Sequence, residues 1–181
     1  MRKLKNKNTG KDLEKRITQI AKIYEANNKA LIYKCDPPSR TFNVKGKTFT
    51  TLLRNPFPDF VGTWTEKGGK ALLIEAKSTQ HPRLPIMCKS GGVTIDQVNH
   101  LTNWHHAGAA VGIVWEHELE WKFVSIDLVH STLKLKRGNQ PRKSIRWDEA
   151  SEIAQNGMNY MDFLKNISDF YEDERTESLC T

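Results

Sequence analysis

The spacing of apolar residues changes from helical to strand-like and back along the chain. From Gly10 to Asn27 they fall at Leu13, Ile17, Ile20, Ala21 and Tyr24, which predicts a helix with Asn8 or Thr9 as its N-cap. Ala30 to Cys35 reads as a short buried strand, stopped by Asp36-Pro37-Pro38-Ser39. Pro58 to Trp64 and Ala71 to Lys77 read as two strands around a turn at Thr65 to Gly69. Period two places Leu73, Glu75 and Lys77 on one face of the second strand, with Leu72, Ile74 and Ala76 on the other. In the first, Asp59 shares a face with Val61 and Thr63, and Pro58 at the strand start needs no ladder hydrogen bond.

Ser78 to Gly92, with its Pro and Gly residues and with Arg83 and Lys89, reads as a long loop. Thr94 to His106 predicts a helix packing Ile95, Val98 and Leu101 inward, and Thr94-x-x-Gln97 fits a capping box. Two more strands, Ala109 to Trp115 and Glu120 to Ile126, flank a turn at His117-Glu118-Leu119. Mixed turns and a helix near Tyr160 to Phe170 close the pattern. Helix, strand, insertion, strand, strand, helix, strand, strand, helix implies an α/β domain with helices packed on a mixed central sheet. The predicted organisation is a basic flexible arm over 1–8, one domain over 9–170 and an acidic flexible tail over 171–181.

The insertion covers about 37–56. Its two β-prone stretches around Val44-Lys45-Gly46-Lys47 predict a hairpin carrying Arg40, Lys45, Lys47 and Arg54 with little core-forming content. Net charge is +7, unevenly spread: residues 1–50 hold thirteen Lys/Arg against four Asp/Glu, and residues 151–181 hold two against seven. The basic half is therefore the candidate polyanion-binding half, through Arg2, Lys3, Lys5, Lys7 and Lys11 as well as the insertion. An ordinary solvated surface is the alternative for these charges.

Asp59 and Glu75 give the pattern its chemistry. Burying even a neutral polar group without a partner costs on the order of 2 to 7 kcal/mol, so two acids converging on a sheet face call for a cation. Oxygen-only ligation points to magnesium, with manganese able to substitute. Lys77, on the face of Glu75, suits a phosphate. The competing reading is an exposed Glu75–Lys77 pair on an edge strand, with Asp59 a turn residue. Glu14, beside the apolar stripe of the first helix, can look toward the sheet or pair with Lys11 or Lys15.

Cys35, Cys88 and Cys180 show no paired ligand spacing, so neither a disulfide framework nor a zinc site is expected. No apolar run approaches the roughly 18 residues a membrane span requires, and Met1 to Asn8 lacks the apolar core of a secretory signal. A cytoplasmic protein without membrane contact or small-molecule cofactor is the expectation.

Five ordered signals between Asn8 and Asp127 resemble the RecU-type Holliday junction resolvases of Gram-positive bacteria and their phages, within the PD-(D/E)xK nuclease superfamily. They are Asn8-x-Gly10-x-x-x-Glu14, the Pro58-Asp59-Phe60 and Glu75-Ala76-Lys77 strands, Leu84-Pro85-Ile86, Gln97-x-x-His100-Leu101-x-x-Trp104, and Gly112-Ile113-Val114. The resemblance implies a restriction-endonuclease-like core and a homodimeric, magnesium-dependent endonuclease that cuts two strands symmetrically at a four-way DNA junction. It implies metal ligation by Asp59, Glu75 and the Ala76 carbonyl, with Glu14, Lys77 and Gln97 completing the catalytic set and the insertion acting as a stalk. Pro58 stands where those resolvases usually have Thr, the gap from Asp59 to Glu75 is a little longer, and the stalk is compact. A nuclease acting on flaps, ends or duplex, or a non-catalytic DNA-binding recombination accessory protein, are the alternatives.

Overall fold

The computed structural model describes residues 9–37, 39–52, 57–89, 91–137, 139–153 and 160–168. Helix α1 (Thr9–Ala26) buries Leu13, Ile17, Ile20, Ala21 and Tyr24, the stripe its spacing predicts. It leads into β1 (Leu31–Lys34), which Pro37 and its neighbours separate from the hairpin β2 (Ser39–Val44) and β3 (Lys47–Leu52). Lys45 (φ 49°) and Gly46 (φ 75°) form the hairpin turn. Two consecutive positive φ angles give the turn hand that matches strand twist. The hairpin is a two-stranded sheet of its own.

Next come β4 (Phe60–Trp64) and β5 (Lys70–Thr79), then β6 (Arg83–Cys88), β7 (Val93–Thr94) and helix α2 (Ile95–His106). β8 (Ala110–His117), β9 (Glu120–Val124), helix α3 (Ile126–Lys134), β10 (Lys136–Arg137), β11 (Gln140–Pro141), β12 (Ser144–Arg146) and β13 (Ser151–Glu152) follow. The central sheet has the order β1-β4-β5-β8-β9-β13, with β5 and β8 parallel and the other neighbours antiparallel. The parallel pair needs a crossover, which the segment containing α2 supplies. This is the expected mixed α/β architecture.

Each face of the sheet has its own core, and β5 contributes to both. Leu72 and Ile74 pack with α1 and the helical segment 163–168, whereas Leu73 packs with α2 and α3. Period two on β5 thus holds through the fold. At Gly62 the sheet leaves no room for a side chain, since a Cβ there would lie 1.9 Å from the Leu31 carbonyl oxygen. Among the described residues, no helix is long and apolar enough to cross a membrane.

Five expectations change. The strand expected to be buried from Ala30 to Cys35 is β1 at the sheet edge, and it buries Ile32 but exposes Leu31 and Tyr33. The segment from Ser78 to Gly92 is not a loop throughout: β5 runs on to Thr79, and β6 lies in a three-stranded sheet of order β12-β6-β7. Leu84 and Ile86 alternate into the core there, a period that the surrounding Pro and Gly residues masked. Ile95 is 45% exposed, because Thr94 caps α2 and Ile95 becomes its first residue, outside the Val98–Leu101 stripe. Ile126 does not extend β9. Ser125 accepts from the Leu128 N–H at 3.1 Å and starts α3, where Ile126 and Val129 face inward at helical spacing. The apolar run into that segment predicts no helix.

Candidate active site

The site forms where β4 begins beside a longer β5. Their register runs from Trp64 opposite Lys70 to Phe60 opposite Ile74, so Glu75, Ala76 and Lys77 continue past the start of β4. Asp59 sits just before that start. Its carbonyl accepts from the Cys35 N–H at 2.8 Å, tying it to the end of β1, and its Oδ2 accepts from the Ala76 N–H at 2.9 Å. The carboxylate thus occupies the ladder position that β4 has vacated. A strand residue directs its N–H and C=O to the same side, so the Ala76 carbonyl faces the same side as Asp59.

Glu75 is fully buried on an interior strand, between β4 and β8, which removes the edge-strand alternative. Its Oε1 accepts from Lys77 Nζ at 2.5 Å and from Gln97 Nε2 at 2.5 Å. Its Oε2 is buried and has no hydrogen-bond partner. Burial pushes the Glu75 carboxyl up to about 8; the Lys77 ammonium opposes that shift and the neighbouring Asp59 carboxylate adds to it. Asp59 and Glu75 therefore interact electrostatically. Without a further positive charge the site favours the neutral acid, so a bound cation would favour the carboxylate.

Gln97 forms the capping box and also reaches Glu75. Its Oε1 accepts from the Thr94 N–H at 2.9 Å and its N–H donates to Thr94 Oγ1 at 3.3 Å, completing the capping box. The amide nitrogen remains free to bond Glu75. Helix capping and carboxylate positioning thus use opposite ends of one amide.

Glu14 stands apart from this group. Its Oε2 lies 3.2 Å from Lys34 Nζ on β1, and Lys34 also donates to Asp36 Oδ1 at 2.6 Å. Among the described residues no three His, Cys, Asp or Glu side chains gather into a metal-binding group. The oxygen donors brought together are Asp59, Glu75 and the Ala76 backbone. They are all hard ligands, and the unpartnered Glu75 oxygen gives a divalent cation a place, so the set fits magnesium.

Sequence reasoning assigned no role to His100. Its Nε2 is buried without a partner, its ring meets Phe57 edge-on at 5.9 Å, and it lines a small cleft with Pro58, Glu75 and Gln97. The signal was its position one helical turn after Gln97, on the same side of α2. Of the predicted DNA contacts, Lys11 on α1, Arg40 on β2, Lys45 in the turn and Lys47 on β3 are all exposed. Arg2, Lys3, Lys5, Lys7 and Arg54 lie outside the described residues, as do the arm and the tail.

Two carboxylates converge here with a lysine two residues on, in a mixed sheet between helices, a set of groups suited to phosphodiester chemistry. A family model described as RecU, Recombination protein U, matches residues 8–169. The chain belongs to this family of Holliday junction resolvases. No curated protein matches it in sequence. Among solved structures it is similar to Hjc of Archaeoglobus fulgidus, a Holliday junction resolvase from an archaeal hyperthermophile. That match has 18% identity and a TM-score of 0.47, covering 81% of this chain and 93% of the other. A crystal structure of SSO0001 is similar at 17% identity and a TM-score of 0.31, over 74% of this chain and 62% of that one. The family match, rather than either structural likeness, carries the assignment.

Proposed function

We propose that this endonuclease is a magnesium-dependent resolvase of four-way DNA junctions, acting as a homodimer that hydrolyses one phosphodiester in each of two opposed strands. The observation that carries the metal-dependent reading is Glu75: fully buried, one oxygen held by Lys77 and Gln97, the other without a partner beside Asp59. Asp59, Glu75 and the Ala76 carbonyl would hold Mg²⁺, with Mn²⁺ as a substitute. When bound, the cation supplies Lewis-acid stabilisation of phosphate charge and a larger hydroxide fraction.

The protein's own groups do the positioning. Lys77 is 18% exposed, so its ammonium can turn from Glu75 toward a scissile phosphate while remaining close to the carboxylate. There it orients the attacking water and stabilises the charge that develops on the non-bridging oxygens. Gln97 fixes the Glu75 carboxylate from a capped helix end. Water attacks phosphorus, the bond to the 3′ oxygen breaks, and the products are a 5′-phosphate and a 3′-hydroxyl. Two symmetric cuts need two such sites, which is the reason for a dimer. The exposed hairpin would act as a stalk at the junction centre, and Glu14 would act through the Lys34 network.

The test is cleavage of a synthetic four-way junction in magnesium, in competition with flap, linear duplex and single strand. Paired, symmetric cuts in the junction are expected. Equal rates on all four substrates would overturn the resolvase reading, and cutting that survives chelation of divalent cations would overturn the metal assignment.

A further inference from the structure

A second basic surface lies outside the hairpin and outside the site. Residues 128–147 contain six Lys/Arg and no Asp/Glu. The fold gathers four of them with Arg83, at the start of β6, around one open cleft of about 640 Å³. Only three residues separate Arg83, at the start of β6, from the end of the site strand β5. β12 pairs with β6 so that Arg146 lies opposite Arg83, and Lys143 follows on the same strip of chain.

The cleft is constructed rather than merely charged. Arg142 donates from Nη1 to Glu149 Oε1 at 2.6 Å and also from Nη2 to Glu149 Oε2, and Glu149 further accepts from the Arg146 N–H at 2.7 Å. This clamp sets the guanidinium plane while leaving its remaining N–H directed elsewhere. Trp147 anchors the segment from behind, with its N–H donating to the Pro82 carbonyl at 3.1 Å and its ring edge-on to Trp115 at 4.7 Å. Arg83, Lys136 and Lys143 are exposed. Five cations face the cleft, and Asp148 and Glu149 offset two of them, leaving a surplus of three.

We infer that this cleft, lined by Arg83, Lys136, Arg142, Lys143 and Arg146, binds the phosphate backbone of a DNA arm leading away from the cleaved strand. The inference rests on the DNA substrate proposed above and adds a grip separate from the hairpin. Phosphate contacts of this kind position the duplex without reading its sequence.

The experiment compares the full-length protein with an Arg83→Ala/Lys136→Ala/Lys143→Ala variant, binding a synthetic four-way junction without divalent cations over a series of salt concentrations. Kd should rise about tenfold and the slope of log K against log salt should fall by about two to three, near 0.9 per lost contact. Lys136→Glu alone should weaken binding, and the charge-keeping Arg83→Lys/Lys136→Arg/Lys143→Arg variant should restore it. Unchanged Kd and slope in both the triple variant and Lys136→Glu overturn this inference alone, with an acidic protein partner as the reading left. A wild-type protein that binds no junction overturns the proposed function instead.

Discussion

Glu75 on a central strand and Lys45 in a hairpin turn are both ionisable, and their surroundings are opposite. Glu75 has no exposure, has two hydrogen bonds at one oxygen and sits on an interior strand flanked on both sides. Lys45 sits in the turn of a hairpin whose described side chains are exposed, and its local structure is set by turn geometry and by the stacking of Phe42 on Phe49 at 5.9 Å. A charge fixed in low dielectric can act on bond making, whereas a solvated one contributes mainly through its number and its salt sensitivity. On the proposed function, cutting and holding are therefore expected to be separable.

The sharpest break in that comparison comes from the site itself. Asp59→Ala or Glu75→Ala should lower cleavage by about a thousandfold or more, a loss near 4 kcal/mol, while junction Kd stays within tenfold. A junction-cleavage time course beside a binding titration checks this, and undiminished cutting by both variants would refute the site.

Gln97 sharpens it. Gln97→Ala removes the bond to Glu75 and one bond of the capping box, so cleavage should fall about tenfold and stability by about 1 kcal/mol. Thr94→Ala should cost similar stability yet leave cleavage nearly intact. Thermal melts and single-turnover rates on the two variants separate the roles; equal loss of cleavage in both would make Gln97 a cap and nothing more.

On the exposed side, replacing Arg40, Lys45 and Lys47 together with Ala should raise junction Kd about tenfold and reduce the salt slope by about two to three. Single-turnover cleavage at saturating DNA should stay within about twofold. Loss of cutting at saturation would mean that the hairpin takes part in chemistry.

The smallest effect concerns pH. Hydrogen bonding from Arg142 holds the Glu149 carboxyl down at about 2, with burial opposing. A depressed folded value gives stability that is present above the unfolded glutamate value, about 4.3, and is lost as pH falls toward the folded one. Glu149→Gln should therefore lower Tm at neutral pH by an amount worth about 1 kcal/mol, discounted for partial exposure. The gap to the wild type should close between about pH 4 and pH 2. A gap that persists at low pH would show that the pair is not the cause.

The site was legible because it lies on strands with clean alternation. Glu75 and Lys77 share a face for the same reason that Leu72 and Ile74 share the other. Gln97 was legible as a cap from Thr94 three residues earlier, and the hairpin from Lys45-Gly46 between β-prone stretches. β6 was not, because Pro82, Pro85 and the glycines near 91 interrupt a pattern that only pairing with β12 completes. α3 was hidden by Ile126, which continues the apolar run of β9 until Ser125 caps a helix.

Sequence alone determined which residue types could act together: two carboxylates, a lysine two residues on, and a glutamine at a helix start. Periodicity and capping are local, so they survive in the linear chain. Tertiary structure decided that Glu75 lies on an interior strand, that Asp59 fills the ladder position just before β4 begins, that Glu14 belongs to Lys34, and that residues far apart in the chain form one basic cleft. Those outcomes depend on strand order, register and burial, which arise from long-range packing and leave no periodic trace in the sequence.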